Sequence, residues 1–520
     1  MSFVPQRLLG LLLLASACSP ALAQDKTLVV GSITTPLVNN ALASGTGTGT
    51  PGTQVFAGLV ELDDKFTPQP YLATSWDVSP DGLAYTFHLR AGAKFHDGKP
   101  ITSADVAFSV DTVRANHPFG RSTLGPVERV ETPDPLTARF VLKQSHPALL
   151  SSLTTLLLPI LPKHVYGEGP IRANPANAMA IGSGPFKVAE FKAGQSITLV
   201  RNPDFFLPGR PKSDRVILRF YDDMQAARLS LENGETDAIL QTSFGYGDYK
   251  RLKENPKLNV FTNSFAGLAI VDYIEFNLRK APFNDLRVRK AIAHAIDRKF
   301  LVEKFQGGVT QPLEGPLPPD HPFATKDLVR YAYDLKEANR ILDEAGYKPD
   351  ASGVRFKATI DAPTYSPDGL GRVADWLKPQ LKKIGIELER RVSPDSATWA
   401  QRVSNYEYDI AMSQIYNYPD PVIGTHRLFL CKNQVKGVIF TNTGGYCNDK
   451  VDAILDQAAK ETDVAKRKAL YAQFQKIITE ELPYVYTTTE LPYGVAQRSV
   501  TGLPKTVLGT MSPMWDLEKK

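Results

Sequence analysis

The sequence predicts an α/β protein of two or three domains behind a cleavable leader. Three observations carry that reading. Segments with strand periodicity alternate with segments of helical periodicity, an order that implies crossover connections and a sheet covered by helices. The chain has 520 residues, too many to pack around one hydrophobic core. The first 23 residues also differ in composition from everything that follows.

The leader comes first in the chain. Arg7 is the only charge before Gln24, Leu8 to Ala17 is apolar apart from Gly10 and Ser16, and Ala21-Leu22-Ala23 supplies the small-x-small pattern of a cleavage site. The apolar run is shorter than the roughly 20 residues that cross a bilayer. Cleavage after Ala23 would start the mature chain at Gln24. Lipidation at Cys18 is the alternative, but the leucine usual three residues before a lipidated cysteine is Ala15 here. No later stretch is comparably apolar.

The elements follow in order. Thr27 to Gly31 reads as a strand. Ser44-Gly45-Thr46-Gly47-Thr48-Gly49-Thr50 reads either as a flexible surface loop or as backbone that approaches a ligand closely. From Tyr85 to Arg90 the residues alternate, with Tyr85, Phe87 and Leu89 facing a core. Asp97-Gly98 is a turn, Thr102 an N-cap with Asp105 at the capping-box position, and Val106, Val110 and Val113 the buried stripe of the next helix. Asn284 or Asp285 opens a helix with Val288, Ala291, Ile292, Ala295 and Ile296 inside. Asp334 opens another over Ala338, Ile341, Leu342 and Ala345, with Gly346 at C′. Val373, Leu377 and Leu381 line a third, which ends near Gly385 before a strand at Ile386-Glu387-Leu388.

Charge and motifs exclude several functions. The net charge is +5, one less without Arg7, and no long basic run is interleaved with aromatics, so nucleic acid is not an expected partner. HExxH, GxSxG and the dinucleotide glycine fingerprint are absent. Gly92 to Lys99 fails as a phosphate loop because five residues separate its glycines and Pro100 replaces the magnesium-binding hydroxyl. The acidic pairs Asp63-Asp64 and Asp222-Asp223 read as solvated turns. The histidines lack the i, i+4 spacing of helical metal ligands, and no metal or cofactor is expected. Without Cys18, Cys431 and Cys447 remain. A disulfide is the expected state in an oxidising compartment, worth roughly 3 kcal/mol, with two free thiols or a metal pair as alternatives.

A run of residues then resembles a known signature. It comprises Leu72-Ala73, Trp76, Ser79-Pro80-Asp81-Gly82-Leu83, Tyr85-Thr86-Phe87, Leu89-Arg90, Gly92, Lys94-Phe95-His96-Asp97-Gly98, Pro100, Thr102, Asp105-Val106 and Phe108-Ser109. Together these resemble the signature of family 5 bacterial extracellular solute-binding proteins, the oligopeptide, dipeptide, nickel, opine and glycoside receptors of ABC importers. The turn Gly182-Ser183-Gly184-Pro185-Phe186, the segment Asn233-Gly234-Glu235-x-Asp237 and the block from Phe276-Asn277 to Ala295-Ile296-Asp297-Arg298 are similar to further family blocks.

The resemblance implies a periplasmic-binding-protein-like fold: two α/β lobes, an extra domain, and a ligand cleft between lobes that close by hinge motion. On that analogy residues 24–56, 182–270 and 490–520 form one lobe, 57–181 the extra domain and 271–489 the second lobe, after a signal peptide at 1–23. It implies a non-catalytic, periplasmic, monomeric protein whose partners are a small polar ligand and ABC permease subunits. A short peptide or amide-containing compound is the favoured ligand, ahead of an opine, sugar conjugate or metal chelate. A secreted hydrolase and a sensor that presents its ligand to a chemoreceptor are the rival classes.

The resemblance also implies ligand-binding positions: Ser44, Gly45 and Thr46; Gln241 and Thr242, with Ser243 beside them; Tyr273; and Tyr416, Asn417 and Asp420 in a loop similar to the family's Gly-Trp…Asp…Asp-Pro loop. Here the chain departs from the peptide receptors. Gln414 and Ile415 stand where Gly-Trp is expected, and Asn417 where an aspartate meets a peptide ammonium. A buried ammonium without an anion is costly; Asn417 can still accept a hydrogen bond, and Asp420 or Asp272 are the candidates to substitute. The cysteines bracket Gly444-Gly445-Tyr446, a turn around which family members often place cysteines, and the resemblance thereby supports the disulfide.

Overall fold

The computed structural model describes residues 26–32, 38–221, 223–242, 246–305, 310–490 and 492–520. The leader, Cys18 and the Ala23 cleavage site lie outside the described residues, as do Asp222 and Ser243. No helix among the described residues is long and apolar enough to cross a membrane.

Two large mixed sheets organise the chain. The seven-stranded sheet runs in the order Leu258–Phe261, Tyr493–Gln497, Ala238–Thr242, Thr27–Ser32, Arg215–Phe220, Ser196–Arg201, Phe186–Lys192. Thr27–Ser32 sits near its centre, parallel to both Arg215–Phe220 and Ala238–Thr242. The six-stranded sheet runs Gln311–Pro312, Tyr484–Glu490, Ile270–Phe276, Ile410–Tyr416, Phe356–Asp361, Ile386–Arg391. Its last two strands are parallel and joined through the helix Arg372–Lys382, a βαβ crossover. The chain passes from the first sheet to the second between residues 261 and 270, and back between 490 and 493.

Both faces of the six-stranded sheet are covered, which fits its apolar strands. Helices Leu286–His294, Leu335–Glu344 and Arg372–Lys382 pack one face through Val288, Ile292, Leu342 and Leu377. Helices Asp449–Ala458 and Val464–Glu481 pack the other through Leu455, Phe474 and Ile478. The helix starts obey local chemistry: Asp285 accepts from the amide of Arg287, and Asp334 from those of Lys336 and Glu337. Gly346 and Gly385 follow helix ends at φ 91° and 77°, the left-handed region that glycine enters without strain. Ala295 and Ile296 lie just past the helix end, not inside it, yet both are buried.

A separate four-stranded antiparallel sheet is ordered Ala73–Val78, Ala84–Leu89, Thr137–Leu142, Val127–Asp134. Tyr85, Phe87 and Leu89 turn inward as their alternation predicts, against Val106, Val110 and Val113 of the helix Ser103–Asn116. The Asp105 carboxylate reaches back to accept from the Thr102 amide at 2.9 Å, completing the cap. The signature residues therefore build local structure. Gly182 and Gly184 belong to the same class: a Cβ at either would lie 2.1 and 2.5 Å from the carbonyls of Val55 and Gln54.

One expectation is corrected. The Ser/Gly/Thr tract is not a surface loop, because the helix Thr46–Val55 begins inside it and Thr48 to Val55 are buried. Glycine and Pro51 are poor helix formers, but packing overrides propensity. A Cβ on Gly49 would sit 2.7 Å from the Met511 sulfur, and one on Gly52 2.4 Å from the Asn40 side chain. Only glycine permits that approach.

Candidate functional site

A cavity of about 580 Å³ opens where the two large sheets face each other. The seven-stranded side contributes the carboxyl ends of two central strands, Gly31-Ser32 and Gln241-Thr242. Ser44 to Gly47 join them at the start of the helix Thr46–Val55, whose N-cap Gly45 carries no side-chain cap. No acidic residue occupies that first turn, so the positive end of the helix dipole meets the cavity. The six-stranded side contributes Ile270 and Gln414 to Tyr416, with Tyr365, Tyr418 and Phe440 adding aromatic surface. Phe119, from the segment after the helix Ser103–Asn116, closes one side. Its ring meets Tyr418 edge-on at 5.3 Å.

Arg427 is the one charged residue among the described residues that line the cavity. Its Nε donates to the Gly424 carbonyl at 3.0 Å, and its guanidinium carbon lies 4.8 Å from the Phe119 ring centre. Burial pulls this guanidinium down from its ordinary pKa, against the opposing influence of Tyr418 and Tyr273. Burial likewise pushes the Tyr418 phenol up, so it stays a neutral donor at physiological pH.

The structure brings together Ser44, Gly45, Thr46, Gln241, Thr242 and Tyr416 around this cavity. It does not bring Tyr273, Asn417 or Asp420 to the lining. Tyr273 lies on the strand Ile270–Phe276, three residues in from the end that meets the cavity. Ile270, at the strand's start, reaches the cavity, whereas Tyr273 is buried further along and packs on Tyr484 at 5.0 Å. Asn417 is fully buried, its amide oxygen accepting from the Thr425 hydroxyl at 3.2 Å. Its carbonyl is so close to Gly424 that a Cβ there would lie 2.0 Å away.

Asp420 is held by Arg467 through two contacts of 2.8 Å, with side-chain exposures of 7% and 6%. Burial alone would push this carboxyl up; the charge and hydrogen bonds of Arg467 outweigh it and hold the group below the ordinary carboxylate range. Asp420 is therefore part of the interior framework and not a group that faces the cavity.

Sequence reading missed Arg427, Phe119, Tyr365 and Phe440. Arg427 follows the quoted loop but belongs to no motif, and the others lie far away in the chain. Among the described lining residues there is no histidine, cysteine or carboxylate. Cys431 and Cys447 are paired outside the lining, their Cα atoms 4.8 Å apart.

Comparison with known proteins adds independent findings. The model of the middle region of the bacterial extracellular solute-binding proteins, family 5, matches residues 67–436. The oligopeptide-binding protein AppA of Bacillus subtilis is 30% identical over 483 residues, covering 89% of this chain and 86% of that protein. Its solved structure with a nonapeptide superposes with a TM-score of 0.81 at 27% identity, over 95% of this chain and all of that one (100%). The binding protein AgaA of Agrobacterium tumefaciens R10, solved with agropinic acid, has a TM-score of 0.79 at 25% identity over 95% of this chain and 99% of its own.

Proposed function

The chain belongs to family 5 of the bacterial extracellular solute-binding proteins, and on that premise we propose that it captures a small polar ligand for an ABC importer. The observation that carries the reading is the cavity itself. It lies between two sheets joined by two chain crossings, and it is lined by backbone-rich glycine, hydroxyl and aromatic groups. Such a wall can enclose a ligand, orient it by a few hydrogen bonds and release it when the sheets separate. The lining supports binding over hydrolysis, because the described groups include no nucleophile–base pair.

The moving units in this reading are the lobe 24–56, 182–270 and 490–520, with the extra domain 57–181, closing on the lobe 271–489. Ser44, Gly45, Thr46, Gln241, Thr242 and Tyr416 contact the ligand. Tyr273, Asn417 and Asp420 act behind the wall. The protein works as a monomer in the periplasm after cleavage at Ala23, and delivers its ligand to membrane permease subunits. Short peptides and amide-containing compounds suit the mixture of hydroxyl, amide and aromatic groups. Cys431–Cys447 is oxidised in that compartment.

The test is direct. The protein is purified from the periplasmic fraction, the retained small molecule is released by denaturation and identified by mass spectrometry, and its rebinding is measured by calorimetry. A retained compound that rebinds one to one supports the reading. Chemical conversion of that compound by the protein would replace it with an enzymatic one, and a cytoplasmic location would remove the export step.

A further inference from the structure

The buried arginines of this molecule set a pattern that the half-buried Arg427 breaks. Arg467 spends both terminal nitrogens on Asp420 and its Nε on the Ala458 carbonyl. Arg289 donates to the carbonyls of Leu482, Phe283 and Glu481. Each guanidinium is thus neutralised, or saturated with acceptors on every nitrogen. Arg427 is neither. Its Nε bonds Gly424, but among the described residues no carboxylate lies within 4.0 Å of it and no acceptor meets its two terminal nitrogens.

A cation removed from water without an anion is costly. The Phe119 ring over one face of the guanidinium offsets only part of that cost. With Nε committed to the Gly424 carbonyl, the two terminal nitrogens are the part of the guanidinium left for a ligand in the cavity that Arg427 lines. That edge presents two parallel N–H groups, the arrangement that matches the two oxygens of a carboxylate.

We propose that Arg427 anchors a carboxylate of the ligand, and that the natural cargo is an acid held by this group and not a free-amine compound held by an anion. This rests on the receptor reading above and specifies its ligand class. The rest of the wall agrees with it. One cation suits one negative charge, and the uncapped start of the helix Thr46–Val55 adds a second site of positive potential. The described lining offers a ligand ammonium no carboxylate, because Asp420 is engaged by Arg467.

The test compares the compound retained by the natively purified protein with its carboxyl methyl ester, on ligand-free wild type and on Arg427→Gln. The retained compound is expected to carry a carboxylate. Esterification should weaken binding to wild type about 30-fold or more, the loss typical of one partner removed from a buried charged pair. Arg427→Gln should weaken the free acid by a similar factor and leave the ester nearly unchanged, and Arg427→Lys should recover part of the affinity. The ester arm uses wild type alone, so it stands even where a variant folds poorly.

A retained compound without a carboxylate, including one whose only anion is phosphoryl, would overturn the assignment. So would an ester that binds as tightly as the acid, or a Gln variant that loses both equally. A wild-type protein that retains and binds no small molecule would refute the receptor reading itself, which is a different result.

Discussion

Replacing Asp420 by alanine separates two roles that sequence alone leaves merged, ligand anchor and interior strut. In the structure Asp420 accepts from both terminal nitrogens of Arg467 at 2.8 Å and from the Val422 amide at 3.0 Å. Arg467 is further fixed by the Ala458 carbonyl at 2.8 Å and lies over the Phe323 ring at 4.8 Å. It cannot turn to water when its partner is removed. Charge centres about 4 Å apart attract by about 4 kcal/mol at the effective dielectric found to suit protein sites. Breaking one side of a buried pair costs about 3–5 kcal/mol because the other charge stays buried.

We therefore expect Asp420→Ala to lower unfolding stability in urea by about 3–4 kcal/mol at pH 7, followed by circular dichroism on ligand-free protein. The double variant Asp420→Ala/Arg467→Met should be more stable than the single one, since it leaves no orphaned charge. The pH sign follows from the depressed carboxyl. Its contribution is complete above the unfolded value of about 3.9 and disappears as pH falls through the lower folded value. Asp420→Ala should flatten that acid limb. A loss below about 1 kcal/mol, or abolished ligand binding with stability unchanged, would refute the argument and return Asp420 to the ligand site.

Phe119→Ala removes the ring that meets Tyr418 at 5.3 Å and Arg427 at 4.8 Å. Affinity by calorimetry should fall about tenfold, and unchanged affinity would mean that this contact contributes nothing to closure. Glu275 is buried, accepts from the Tyr408 hydroxyl at 2.9 Å and from Thr443, and is pushed by burial to about 7. The folded state keeps a proton that the unfolded chain releases, so this contribution is full below the unfolded value and is lost as pH rises through about 7. Glu275→Gln should therefore reduce the decline in urea midpoint between about pH 5 and 8 and raise stability at the alkaline end, and an identical slope would contradict it. Thiol titration of the denatured periplasmic protein should find no free thiol. Cys431→Ser with Cys447→Ser should cost about 3 kcal/mol for a bridge across a sequence separation of 16.

The legible parts of this molecule are those decided within a few residues. Asp285 and Asp334 cap helices because an aspartate oxygen reaches amides two or three residues on. Tyr85, Phe87 and Leu89 face inward because a strand has a period of two, and Gly346 ends a helix because it tolerates positive φ. The same local logic left two readings open at the Ser/Gly/Thr tract, and packing excluded the surface loop. There Met511, Leu156 and Asn40 press on the glycines and make a helix of residues whose own propensities disfavour one.

The site was legible only where a motif carries it. Ser44 to Thr46, Gln241, Thr242 and Tyr416 reach the cavity because they sit at strand ends and a helix start that the family pattern locates. Tyr273, Asn417 and Asp420 do not, for reasons spread over the chain: packing on Tyr484 for the first, the Gly424 contact for the second, and Arg467, 47 residues away, for the third. The sequence by itself determined the family, through the resemblance of its motifs, and the α/β class and the starts or ends of a few helices, which rest on short-range periodicity and turn chemistry. Only the tertiary structure decided which charges cancel. Asp420 finds a cation in a distant helix while Arg427 is left facing the cavity, and the free energy of a buried charge depends on its nearest opposite charge in space and not on its neighbours in the chain.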